Sequence, residues 1–301
     1  MHTLEVLETD FKRYIPSDLS ECTPTQYIEM SELIFNYQAQ RISFDELKVQ
    51  AIYKLLNMKP KKAKFDHQET NKMINVSLLA DLIDSFFTIN EDGYAIIKQD
   101  YTHNPVPYFA TFTQKVYGPS DNFTNITFGE YSDALRIFHD YHATGETNLL
   151  YILAAVFYRP KKSFLFFKKR LENYDGDIRK PYNSSILEQT AHDLKNLPIG
   201  FVYGAYLLFA SFQKYLIEAK ILWGGNEIDL AILFEQSKST QNNQTFPGIG
   251  MDSIAFSMAE SGSFGTFEQV RKTNFWQTLI RMYDSRITDI QNKKKYDDTN
   301  K

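Results

Sequence analysis

The sequence predicts a mainly α-helical protein: a multi-helix bundle with a minor β-hairpin and two helical hairpins that read as a duplication. Three observations carry this. At five places a Ser or Thr standing three before a Glu or Gln opens a stretch of helical spacing, the signature of a capped helix start. Apolar residues then recur at intervals of three and four, which places them on one helical stripe. Strand-like alternation is confined to the segment between residues 94 and 117.

The first capped start is Thr23 with Gln26, and Pro24 takes the favoured first position. It leads into Tyr27, Met30, Ile34 and Tyr37. Ser43 with Glu46 opens a stripe of Phe44, Leu47, Ala51 and Leu55. A further helix is expected over 77–87. The segments 94–98 and 108–117 carry β-branched and aromatic residues between Asn90-Glu91-Asp92-Gly93 and Gly118-Pro119, so a small hairpin is expected there. Thr127 with Glu130 opens Tyr131, Ala134, Phe138 and Tyr141. Ser185 with Glu188 and Thr266 with Gln269 are the last two caps. Helices are also expected over 146–158, 198–223, 252–261 and 274–291, a loop over 237–244, and a frayed polar tail over 292–301. The chain thus reads as an N-terminal helical region (1–89), a β or irregular insertion (90–120), a C-terminal helical region (121–291) and the tail, within one unit.

Thr23, Tyr27 and Tyr37 match Thr127, Tyr131 and Tyr141 at a constant offset. Both copies enter a second apolar helix and end on a basic-Pro-Lys-Lys element, Lys59-Pro60-Lys61-Lys62 and Arg159-Pro160-Lys161-Lys162. Duplication of a hairpin stopped by proline explains the match; chance similarity between capped amphipathic helices is the alternative.

The chain has 301 residues, 43% of them apolar and 23% charged, enough to build a core and to exclude disorder throughout. The net charge of −4 gives no global reason to bind nucleic acid. A single cysteine, Cys22, excludes an internal disulfide and a cysteine-ligated zinc site. The first residues lack a basic and an apolar region, so no signal peptide is expected. The uncharged run around 201–212 is broken by Gly204 and tyrosines and reads as a buried helix rather than a membrane span. The expected location is the cytoplasm.

No arrangement amounts to a catalytic, cofactor or metal site. His139 and His142 read as a solvated helix end rather than metal ligands, and Asp175-Gly176-Asp177 as a turn rather than a calcium loop. Gly224-Gly225 and Gly248-Ile249-Gly250 are too sparse for a phosphate loop. Gly262 to Thr266 reads as a joint between helices. Ser253 and Ser263 have no nucleophile context, and Cys22 has no arranged partner. One local charge feature remains. Arg159, Lys161, Lys162, Lys168, Lys169 and Arg170 surround Phe164-Leu165-Phe166-Phe167. Such a segment is a solubilised loop, or it grips an acidic partner, nucleic acid or an anionic membrane surface. As a partner-binding element it would leave the core after Pro160.

Several passages carry a resemblance. They are Tyr14-Ile15-Pro16 through Leu56, Tyr117-Gly118-Pro119, Thr127-Phe128-Gly129-Glu130-Tyr131, Ala154-Ala155-Val156-Phe157-Tyr158-Arg159-Pro160, and residues 262–279. The chain resembles an uncharacterised family encoded among the tail-morphogenesis genes of tailed bacteriophages and prophages of Bacteroides-like hosts. The resemblance implies a non-enzymatic, tail-assembly-chaperone-like role with no cofactor. The implied partner is a tail or virion protein, such as a tape-measure protein, met in the host cytoplasm during assembly. Neither nucleic acid nor membrane is an expected partner, and self-association stays open. A structural component of the neck, tail or capsid interior is the alternative, and an enzyme acting on nucleic acid or envelope a further one.

Overall fold

The structure, a computed structural model, describes residues 1–5, 12–59, 67–111, 114–163, 176–218, 220–233, 251–262 and 264–299. The chain is mainly α-helical, with four two-stranded antiparallel hairpins among the described residues. It divides into two units. The first contains Met1–Val106 and Asn196–Ser211; the second contains Pro107–Lys195 and Phe212–Lys301.

The first unit begins with β1 (His2–Glu5) paired to β2 (Lys12–Ile15). Helices α1 (Pro24–Gln38) and α2 (Phe44–Leu55) pack together, and α3 (His67–Ala80) packs on α2. The cap of α1 forms as its sequence demands. Gln26 N–H donates to Thr23 Oγ1 while the Gln26 side chain accepts from Thr23 N–H at 3.0 Å. Of the stripes read from spacing, Tyr27, Met30, Ile34, Leu47, Ala51 and Leu55 are buried in the core, and Tyr37 and Phe44 are half-buried. The helix expected over 77–87 is instead the end of α3 followed by a 3-10 turn, Asp81–Phe86. Strand β3 (Phe87–Ile89) then pairs with β4 (Ala95–Ile97) across the Asn90–Gly93 turn. Asn90 Oδ1 accepts from Tyr94 N–H at 2.7 Å there, and Gly93 takes a φ of +83°.

Helix α7 (Ile199–Glu218) supplies residues up to Ser211 to this unit and the rest to the second. Its N-terminal half lies against α1 at the closest range the backbone allows. A Cβ on Gly200 would stand 2.2 Å from the Ile28 carbonyl oxygen, and one on Gly204 would stand 2.8 Å from the Tyr27 ring. The buried Tyr27 hydroxyl donates to the Gly204 carbonyl at 2.8 Å and lies 2.8 Å from the Tyr101 hydroxyl.

The second unit begins with β5 (Tyr108–Ala110) paired to β6 (Lys115–Tyr117). The segments 94–98 and 108–117 therefore do not form one hairpin; each completes its own, because the proline-flanked Asn104-Pro105-Val106-Pro107 cannot sustain a ladder. Helices α4 (Phe128–Thr144) and α5 (Thr147–Phe157) form the second helix pair, ended by Arg159-Pro160 as read. Its buried tyrosine parallels the first: Tyr131 donates to Gln213 Oε1 at 3.0 Å and stacks on Phe275 at 4.2 Å. Phe123 stacks on Phe212 at 4.5 Å and meets Phe157 edge-on at 5.0 Å, which builds an aromatic core. Helix α6 (Leu187–Leu194) starts one residue later than the Ser185 signature implies. Asn183 Oδ1 takes the Ser185 N–H at 3.0 Å and winds a 3-10 turn first.

The helix expected over 198–223 stops at Glu218. Residues 220–223 are β7 (Lys220–Trp223), paired to β8 (Asn226–Asp229) through Gly224-Gly225. Both glycines have positive φ, +58° and +84°, the requirement of a two-residue hairpin turn. Helices α8 (Met251–Glu260), α9 (Phe267–Lys272) and α10 (Phe275–Thr299) complete the unit. The residues expected to fray beyond 292 continue α10 to Thr299. The loop expected over 237–244 lies outside the described residues. Among the described residues, no helix is long and apolar enough to cross a membrane.

Candidate binding cleft

The second unit holds a cleft of about 1340 Å³, and its floor is built from buried charges. The first is Glu130, at the third position of α4. The cap there forms in one direction: Glu130 N–H donates to Thr127 Oγ1 at 3.2 Å. The carboxylate does not complete a capping box. It accepts from Arg159 Nη2 at 3.0 Å and faces Arg179 Nη2 at 3.4 Å.

Arg159 lies between the end of α5 and Pro160, where a residue preceding proline is held extended. Its backbone exchanges hydrogen bonds with Tyr117, at 2.9 and 3.1 Å. That register turns the side chain inward. Besides Glu130, it donates to the carbonyls of Val156 and Lys180. Burial lowers its pKa, and the neighbouring Glu130 pulls the other way. Arg179 is 0% exposed. Its Nε donates to both oxygens of Asp177, at 3.0 and 3.1 Å, and its Nη atoms to the carbonyls of Phe157 and Asn125, each at 2.9 Å. These two guanidiniums join four separate pieces of chain: the turn before α4, α4 itself, the end of α5 and the 177–180 segment.

A second set of polar contacts lies alongside. Asp133 Oδ2 accepts from the Tyr182 hydroxyl at 2.7 Å and from Arg271 Nη2 at 2.6 Å. Arg271 Nη1 donates to Asp252 at 2.7 Å. Tyr182 and Arg271 both line the cleft, so one carboxylate oxygen holds two of its lining side chains together. Burial and the Asp133 charge push the Tyr182 pKa up, which keeps it a phenol and a donor. Gly129 makes this possible, since a Cβ there would stand 3.0 Å from the Arg271 carbonyl oxygen.

The residues singled out by sequence are scattered. Arg159 is in the floor and not in an exposed loop. Lys161 pairs with Arg179 as an isolated bridge, and Lys162 N–H donates to the Ile178 carbonyl at 2.8 Å. Residues 160–162 therefore form a short ladder rather than leave the core. Lys168, Lys169 and Arg170 lie outside the described residues, as do Phe164, Phe166 and Phe167. His142 lies 4.5 Å from the Phe138 ring, and no cluster of potential metal ligands occurs among the described residues. Asp177, read as part of a turn, is instead the bidentate partner of Arg179. The floor was readable in one respect: Glu130, Asp133 and Ile137 repeat at three and four, which puts two acids on a buried face.

Cys22 is buried, and burial beside the Asp18 and Glu21 charges pushes its thiol up to about 12. At pH 8 the native protein should alkylate with iodoacetamide roughly a thousandfold more slowly than the urea-unfolded chain. Equal rates in mass-spectrometric labelling would contradict that burial.

Comparison of the chain with protein-family models, curated proteins and solved structures returns no match.

Proposed function

We propose that this protein is a non-enzymatic binding protein of bacteriophage morphogenesis, tail-assembly-chaperone-like, which holds a segment of a tail or virion protein in the cleft of its second unit. It would do so in the host cytoplasm during assembly. The observation that carries this reading is the cleft itself. Its volume of about 1340 Å³ exceeds the ~300–1,000 Å³ usual for small-molecule sites, as a polypeptide segment requires. The acids of the floor face guanidiniums and a phenol, an arrangement that supports a role in holding the cleft in shape. Four of the five passages that resemble the phage family also meet in this unit. Tyr117 pairs with Arg159, and Thr127 with Asn274, so these passages are joined by backbone contacts.

The test is affinity capture of the tagged chain from phage-producing cells, together with mass spectrometry of purified particles. A tail protein captured with the chain, and absence of the chain from finished particles, is the expected pair of results. Presence in particles at fixed stoichiometry would replace the chaperone with a structural component. Capture of no virion protein, with absence from particles, would overturn the reading.

A further inference from the structure

We infer that the cleft recognises the main chain of an extended, uncharged segment, and that it does so through side-chain amides and hydroxyls. This rests on the binding reading above and specifies its partner. Most charges that line the cleft are spent inside the chain. Arg159 pairs with Glu130 and Asp177, and Arg271 with Asp133 and Asp252. Lys162 is engaged within the chain as well. Of the other lining charges, Lys180 and Lys272 stand against Asp193 and Glu268, a set balanced in sign. A charged segment therefore finds no excess of the opposite sign.

The uncharged polar groups of the lining are differently placed. Asn183 Oδ1 accepts from Ser185 N–H at 3.0 Å, which leaves the amide hydrogens of Asn183 for a ligand. Gln189 Nε2 donates to Asp193, and its Oε1 stays open. The Gln277 side chain and the hydroxyls of Ser184 and Ser185 are exposed on the lining and make no hydrogen bond among the described residues. An amide side chain donates and accepts at once, the complement of a main-chain N–H and C=O. A main-chain amide drawn out of water needs such a partner, because a polar group left unpaired is costly. The backbone of the lining is a poor substitute, since Pro181 has no N–H to offer an incoming strand. Selection by side chain is correspondingly small. Ile186, 55% exposed, is the one large apolar side chain open on the described lining. An oligosaccharide fits less well. Sugar rings stack on open aromatic faces, and Tyr182 is the one aromatic on the described lining. Its ring lies under the Arg159 guanidinium, 5.6 Å away, and its hydroxyl is given to Asp133.

The experiment measures fluorescence anisotropy of a labelled peptide of alternating Ser and Ala on the full chain. The comparison ligands are the same peptide N-methylated at every second residue, Glu–Ala and Lys–Ala peptides, and maltoheptaose as a competitor. The Ser–Ala peptide should bind with an affinity that salt leaves unchanged, and N-methylation should abolish binding by removing the main-chain donors. Asn183→Asp keeps the oxygen that accepts from Ser185 N–H and removes only the donors, and Gln277→Ala removes the other amide from an exposed helical position. Each should weaken binding about fivefold, with circular dichroism establishing that both variants are folded. Tighter binding of either charged peptide, undiminished binding of the N-methylated peptide, displacement by maltoheptaose, binding of none of the peptides, or no effect of either variant would overturn the inference. Capture of a tail protein undiminished by both variants would also overturn it while leaving the binding function standing.

Discussion

Replacing Gly200 by alanine is expected to destabilise the first unit by about 3 kcal/mol or more, a loss of Tm of about 6–12 °C in thermal unfolding followed by circular dichroism. The cause is a collision with main chain, which cannot rotate away. The added methyl would stand 2.2 Å from the Ile28 carbonyl oxygen and 2.9 Å from Glu32 Cβ. Helix α7 would have to retreat from α1, and the hydrogen bond from Tyr27 to Gly204 would go with it. Gly204→Ala is expected to cost less, because its obstacle at 2.8 Å is the Tyr27 ring, a side chain that can tilt. Alanine ordinarily favours a helix over glycine by about 1 kcal/mol, so the sign of the change is itself diagnostic. A Tm for Gly200→Ala at or above that of the parent would refute the close crossing.

The second large effect is expected from Arg179→Met. The side chain is fully buried, and its removal takes from Asp177 its bidentate partner and from one oxygen of Glu130 its guanidinium, leaving Asp177 only Arg159 at 3.7 Å as a nearby cation. Breaking a buried pair from one side costs about 3–5 kcal/mol. It also frees the carbonyls of Phe157 and Asn125. Adding Asp177→Asn removes the buried charge that has lost its closest cation, so the double variant is expected to be more stable than Arg179→Met alone by about 1–3 kcal/mol. Urea unfolding of the four members of this cycle provides the check. Strictly additive losses would show that Arg179 and Asp177 do not act as a pair.

These two sites mark where the sequence was informative and where it was silent. Helix starts were legible because caps are local: Thr23 with Gln26 and Thr127 with Glu130 satisfy backbone donors within their own turn. The core stripes were legible for the same reason, since Tyr27, Met30 and Ile34 share a face whatever lies opposite. The β7–β8 hairpin was missed although Gly224-Gly225 is its turn, because Ile221, Leu222 and Trp223 prolong the apolar run of α7 without a break. The floor of the cleft was missed because its partners are distant in sequence. Glu130 meets Arg159 and Arg179, and Asp133 meets Arg271, through tertiary contacts that no spacing rule encodes. Arg159 and Lys161 look alike as members of a basic run; only the backbone pairing with Tyr117 decides that the first turns inward and the second stays exposed.

The division of the chain has a consequence for biosynthesis. Residues 196–211 belong to the first unit, yet they follow its other residues after an interval of roughly ninety that belong to the second. At about 5–20 residues per second, translation of that interval takes on the order of ten seconds. Throughout it, the nascent Met1–Val106 segment lacks the helix that covers Tyr27, Ile28 and Ser31. The first unit to emerge from the ribosome is therefore not the first able to finish, and its uncovered face is the stretch a cellular holdase would meet.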